Sequence, residues 1–266
     1  MFTEESKNGI VFMKSDLIGA VHGFSTRSGG VSRGDYASMN FGSNRGDEPE
    51  AVAENYARWC ETVFGKGKND ACVTKQVHGN VVRTVTENDC HECMSTVPYE
   101  ADGLVTGKKG LPIFCFTADC VPVLLWDAKG RAAAAVHCGW KSSVADILGN
   151  AVKSMEALGA EAGDIRAALG PAIGRCCFET DADVPEAISR WLGGDTAGLW
   201  DEAPGGKFMV DLRAANAERL IQLGLSAKNI DVSGECTFCS HDKYYSARYT
   251  GRHGQRRGSL CAGIML

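Results

Sequence analysis

The spacing of apolar residues changes along the chain, and each change predicts a different element. From Pro49 to Phe64 apolar positions recur with helical period, Pro49 falls where a first turn tolerates it, and Gly65 follows as a stop. A helix preceded by Asp47 is expected there. From Leu111 to Trp140 the chain turns to short apolar runs, LPIFCFTA, VPVLLWD and, after an Asp-Ala-Lys-Gly turn, RAAAAVHCGW. These predict neighbouring buried strands. Beyond Trp140 helical spacing returns, with Ser142 or Ser143 as cap and Val144, Ile147, Leu148, Val152 and Met155 on one face. IRAALGPAIG reads as a strand running into a glycine-rich turn, Asp211 as the cap of a helix that stops at Gly224, and SLCAGIML as a terminal core strand.

The sum is an α/β chain, a mixed α+β layered sandwich whose strands and helices alternate too irregularly for a Rossmann or barrel topology. No repeat, low-complexity tract or Pro/Gly/Ser linker divides it, so 1–266 is expected to be a single domain. The 44% hydrophobic and 23% charged fractions exclude disordered and collagen-like classes. A net charge of -5 gives no field that draws nucleic acid. The one basic cluster, Arg248 to Arg257, reads either as solvated surface or as an anion site. The start, MFTEESKNGIVF, lacks a basic segment followed by an apolar run, and Asp119 and Pro122 interrupt the most apolar stretch. A cytoplasmic, membrane-free protein is expected, its 12 cysteines being thiols or metal ligands rather than disulfides.

His78, Cys120 and His137 each lie near the end of an apolar run. Two imidazoles and a thiolate suit zinc, and three protein ligands leave a fourth position for chemistry. The same residues also read as two core histidines and a small buried hydrophobe, or as a nucleophile and base formed by Cys120 and His137. Cys90-x-x-Cys93 and Cys236-x-x-Cys239 offer a competing four-thiolate site, although they lie far apart in sequence; Cys176 and Cys177, being adjacent, are expected not to share one ion. Gln76, two residues before His78, would share its side of a strand and reach substrate. Trp140 reads as core.

The blocks FSTRSGGVS (24–32), KQVHG (75–79), ADGLVT (101–106), TADCVPVLL (117–125), AAVHCGWKSSV (134–144) and LGPAIGRCCFE (169–179), together with Asn40-Phe41-Gly42, resemble the YfiH/laccase-domain family over nearly the whole chain. The resemblance implies a sandwich related to bacterial toxin deamidase domains, with a metal on His78, Cys120 and His137. It implies phosphorolysis of adenosine, inosine, guanosine and methylthioadenosine, and deamination of adenosine to inosine. The partners expected are a purine nucleoside and inorganic phosphate, in a monomer or homodimer. Asp119, with Glu179 behind it, is the candidate proton carrier for deamination. Arg27, Asn40, Gln76, Lys141 and Arg248 are candidate substrate or phosphate contacts. The family usually has Gly-Trp-Arg where this chain has Lys141, and Ser-Tyr-Arg-Arg where it has Ser246-Ala247-Arg248-Tyr249. Lysine cannot reproduce a bidentate guanidinium fork, so the anion contacts differ in detail. The older family label, a copper-dependent polyphenol oxidase, requires more imidazoles than the 6 present, and a metal-free cysteine hydrolase on Cys120 and His137 is the other alternative.

Overall fold

The computed structural model describes residues 1–43 and 45–266. In chain order its strands and helices are β1 (Phe2–Lys7), β2 (Ile10–Ser15), β3 (Val21–Ser25), α1 (Pro49–Trp59), β4 (Val82–Thr84), β5 (Gly103–Thr106), β6 (Ile113–Thr117), β7 (Val121–Asp127) and β8 (Ala133–Cys138). They continue with α2 (Trp140–Val144), α3 (Ile147–Ala157), β9 (Ile165–Leu169), β10 (Glu179–Thr180), α4 (Asp183–Leu192), β11 (Trp200–Ala203), β12 (Lys207–Val210), α5 (Leu212–Gln222), β13 (Ile230–Val232), α6 (Ala247–His253) and β14 (Leu260–Met265). A 5-stranded antiparallel sheet, ordered β1-β2-β3-β14-β6, faces a 6-stranded mixed sheet, β13-β9-β7-β8-β5-β4, and β10-β12-β11 form a small third sheet.

Three apolar clusters stack these into layers. Leu104, Leu124, Ala133, Ala135 and Ala168 of the larger sheet meet Ile113, Cys115, Ala262 and Ile264 of the smaller. The larger sheet's other face packs Val123, Ala134, Val136 and Leu169 against α3, α4 and α5. On the far face of the smaller sheet Trp59 of α1 sits among Phe12, Phe41 and Phe64. The order is therefore helix, sheet, sheet, helices. A sheet covered on both faces has no solvent side, which is why its strands read as continuous apolar runs rather than alternating ones.

The expected helix from Pro49 is present; it widens into a single π-helical turn at Cys60–Phe64 and ends where Gly65 takes a φ of 63°. Its cap is Glu48, while the Asp47 carboxylate accepts bonds from Ser32 and Asn40 instead. Asp211 caps α5 by accepting the Ala214 amide at 3.0 Å. Two expectations fail. LPIFCFTA is not a neighbour of VPVLLWD but joins the other sheet beside β14. The helix after Trp140 is broken between α2 and α3, and neither Ser142 nor Ser143 caps it. At the break Asp146 adopts φ 64°, a conformation costing about 1–2 kcal/mol. Its carboxylate receives Arg219 through two bonds of 2.7 Å and Trp191 at 3.1 Å, charge-assisted contacts that offset this cost. The tertiary contacts outweigh local periodicity. Among the described residues no helix is long and apolar enough to cross a membrane.

Candidate functional site

Strand period places His137 first. Along β8 the side chains of Ala133 and Ala135 face the gap between the sheets, and His137 continues that row to the sheet's rim, only 3% exposed. Its Nδ1 lies 2.8 Å from Asp102 Oδ1. Asp102 stands just before β5, and its carboxylate also accepts the backbone amides of Val77, His78 and Gly79 at 3.1, 2.9 and 2.8 Å. Those bonds hold His78 in a loop, at φ 60°, rather than on the expected strand. One buried carboxylate thus fixes the ring of one histidine and the backbone of the other. Cys120 ends the loop before β7, with its Sγ 3.9 Å from His78 Nε2. The ligand atoms of His78, Cys120 and His137 all lie within 4.8 Å of one another.

Gly139 makes that convergence possible. A Cβ there would stand 2.9 Å from the His78 ring and 3.3 Å from Cys120 Sγ, so any larger residue pushes two of the three groups apart. Burial raises the Cys120 thiol, but bonds and charge from His137 and His78 outweigh it and bring the pKa down to about 6. Burial lowers His137, yet the Asp102 and Cys120 contacts lift it to about 9. Burial pushes Asp102 up, and the bonds from His137, Gly79 and Val77 bring it below the ordinary carboxylate range. A thiolate, one imidazole fixed by a carboxylate so that its Nε2 faces inward, and a second imidazole form a donor set that fits zinc.

Two cavities flank the three residues, of about 290 and 510 Å³. Both are lined by His78, Ala118, Cys120 and Arg257, so they adjoin at the three-residue cluster, the waist of the groove they make together. The first side carries Phe41, Tyr56, Phe116, Arg45 and Arg257; the second carries Trp140, Phe178, Arg248, Arg252 and Arg257. Burial, and after it the charge of Arg257, draws Arg45 below its usual value. Among the described residues neither arginine makes an ion pair.

The candidate contacts divide. Arg248 lines the second side, its Nη1 donating to the carbonyl of Glu179 at 3.0 Å. Asp119 lines it too, but Oδ1 accepts Thr237 Oγ1 and Oδ2 the Arg248 amide, both at 2.6 Å, so both oxygens are committed. Gln76 lines the first side with its amide bonded both ways to the Phe116 backbone at 2.7 Å. Arg27 and Asn40 lie outside both cavities: Arg27 donates to the carbonyls of Ala37, Asp35 and His241, and the buried Asn40 bridges Asp47, Gly42 and Ser259. Lys141 is exposed over Trp140, and the Glu179 side chain sits on the surface near Arg252. Trp140, read as core from sequence, is half-buried and borders the groove. Sequence reasoning missed Asp102, Gly139, Arg45 and Arg257. Asp102 and Gly139 stood within the quoted blocks, and Arg257 within the basic cluster.

Relatives share the whole architecture. The chain is 31% identical over 255 residues to the purine nucleoside phosphorylase YlmD of Geobacillus stearothermophilus, covering 93% of this chain and 92% of that one. It is 38% identical over 212 residues to the purine nucleoside phosphorylase Rv2149c of Mycobacterium tuberculosis, 80% of each. The crystal structure of YlmD superposes with a TM-score of 0.91 at 29% identity, covering 99% and 98% of the two chains. The Bacillus licheniformis hypothetical protein YfiH gives 0.88 at 26% identity and 97% of each. Residues 21–266 match the family described as multi-copper polyphenol oxidoreductase laccase, and with this fold and these relatives the chain belongs to that family.

Proposed function

We propose that the chain is a zinc-dependent enzyme of purine nucleosides that cleaves adenosine, inosine, guanosine and methylthioadenosine with inorganic phosphate and also deaminates adenosine. The observation that carries this reading is the groove itself, with a three-donor cluster at its waist and aromatic rings and arginines on both sides. The phosphorylase names of the relatives support it. His78, Cys120 and His137 would hold the zinc, which when bound would supply Lewis-acid polarisation beside the substrate.

The chain's own residues do the rest. Phe41, Tyr56 and Phe116 offer apolar faces to the base. Arg257, with Arg45 or Arg248 beside it, holds the anion that attacks the ribose C1 carbon as the bond to the base breaks. Asp119 acts here as a positioning residue, fixing the start of α6 and therefore Arg248, since a carboxylate accepting two bonds of 2.6 Å is poorly placed to carry protons. The copper-oxidase reading is disfavoured by the donors: among the described residues only His78 and His137 join the cluster, while His22 is buried in bonds to Ser15 and Ala20.

The test is purified protein with adenosine, with and without phosphate, resolving adenine, inosine and hypoxanthine. Adenine that appears only with phosphate supports phosphorolysis, and inosine formed regardless supports deamination. Stoichiometric copper with phenol turnover and no nucleoside products would sink the proposal. The Cys120 sulfur beside the His137 and His78 rings also permits a metal-free cysteine hydrolase on Cys120 and His137. Inactivation by iodoacetamide with no response to chelators would favour it.

A further inference from the structure

We propose that Cys176, Cys177, Cys236 and Cys239 form a second metal site, a closed four-thiolate cage for zinc that braces the groove wall and takes no part in turnover. Their four sulfurs lie within 4.8 Å of one another. The Cys177–Cys239 and Cys176–Cys239 sulfur distances are 3.4 and 3.7 Å. Four Zn–S bonds of about 2.3 Å in a tetrahedron place sulfurs about 3.8 Å apart. A disulfide requires about 2.05 Å. The sulfurs therefore stand at the spacing of a cage.

Two turns build it, and together they bring the adjacent Cys176 and Cys177 to the same partner sulfur, that of Cys239. After β9 the amides of Cys177 and Phe178 both donate to the Gly174 carbonyl, at 2.9 and 3.0 Å, which curls the chain so that both thiols face the same partners. Opposite, the Ser240 amide closes Cys236-Thr237-Phe238-Cys239 onto the Cys236 carbonyl at 3.0 Å. The Cys236 sulfur accepts the Gly174 amide of the opposite turn at 3.2 Å. That bond crosses from one turn to the other and fixes the sulfur between them. A bridge between Ala172 and Cys236, with the Thr237 amide on the Ala172 carbonyl at 3.1 Å, joins the two turns. Cys90 takes no part: it lies 3.3 Å from Cys72.

Four protein ligands leave no open position, which makes the site structural. It acts on the groove through two contacts. Thr237, between the cage cysteines, holds Asp119, and the Cys177 and Glu179 carbonyls receive Arg248 at 3.5 and 3.0 Å. The cage does not depend on what the groove binds.

Zinc per chain, measured on full-length protein purified under reducing conditions, tests the proposal. Cys176→Ser/Cys239→Ser is expected to carry one zinc fewer than wild type, while His78→Ala/Cys120→Ser keeps one. Cobalt added to the metal-free His78→Ala/Cys120→Ser protein, whose cage is intact, is expected to give the intense sulfur-to-metal absorption of a tetrathiolate. Unchanged zinc in Cys176→Ser/Cys239→Ser, iron in place of zinc, no such absorption, or a non-reduced mass two hydrogens lighter without cage metal would each overturn it. Failure of the groove reading alone looks different: wild type then holds a single zinc, lost only in Cys176→Ser/Cys239→Ser.

Discussion

The His78, Cys120 and His137 cluster and the four-cysteine cluster are joined through the Asp119–Thr237 hydrogen bond, yet they are built on opposite principles. The first mixes nitrogen and sulfur donors from three distant segments, and its geometry is imposed from outside by Asp102. It opens on a groove. The second takes four sulfurs from two short turns, and its geometry comes from backbone bonds within each turn and from the Gly174 and Thr237 amides that cross between them. It opens on nothing but solvent at Cys176 and Cys239. An open cluster needs a rigid surrounding shell because one corner is left for substrate, whereas a closed one is held by its ligands.

That contrast predicts unequal sensitivity. Cys120→Ala should bring nucleoside turnover below detection while the protein stays folded, whereas Cys176→Ser should leave turnover within a few-fold and lower the melting temperature. Equal effects of the two on turnover would erase the distinction. Next in size, Asp102→Asn keeps the shape but weakens what fixes the His137 ring and the His78 backbone, and should reduce metal affinity about 10- to 100-fold. Metal competition with a chromophoric chelator reads this directly, and Gly139→Ala should act in the same direction by crowding His78 and Cys120.

Smaller still, Arg257→Gln should raise the KM for phosphate about 10- to 100-fold with little change in kcat, the worth of a charge-assisted contact. An unchanged phosphate KM would move the anion away from the waist of the groove. The smallest effect is a control remote from both clusters. The Arg131 guanidinium beside Asp127 holds that buried carboxyl below the usual range. A depressed folded pKa means that the pair stabilises at pH above the unfolded value of about 4 and that this stability is lost as pH falls through the folded pKa. The unfolding free-energy gap between wild type and Asp127→Asn should therefore be constant from neutrality to about pH 5 and shrink below about pH 4. A gap growing in acid would contradict the assignment.

Legibility in the sequence followed the range of the forces involved. The helix from Pro49, the Asp211 cap and the Leu260–Met265 strand were readable because capping, turn chemistry and periodicity act within a few residues. His78, Cys120 and His137 were readable as donor types. Asp102 was not, since a carboxylate inside ADGLVT carries no sign that it will receive three amides and an imidazole. Arg27 and Asn40 misled for the converse reason: polar residues in a quoted block look like contacts until their donors are seen bonded to nearby backbone and side chains.

By itself, the sequence determined the elements with strong local signals, the layered α/β character and the donor types available for a metal, because these depend on side-chain chemistry and short-range spacing. Only the tertiary structure decided that LPIFCFTA joins the smaller sheet, that α2 and α3 part at Asp146, and that Cys176 and Cys177 face Cys236 and Cys239. Those outcomes hang on hydrogen bonds and ion pairs between residues tens to hundreds of positions apart, and such partners are chosen when layers pack, not along the chain.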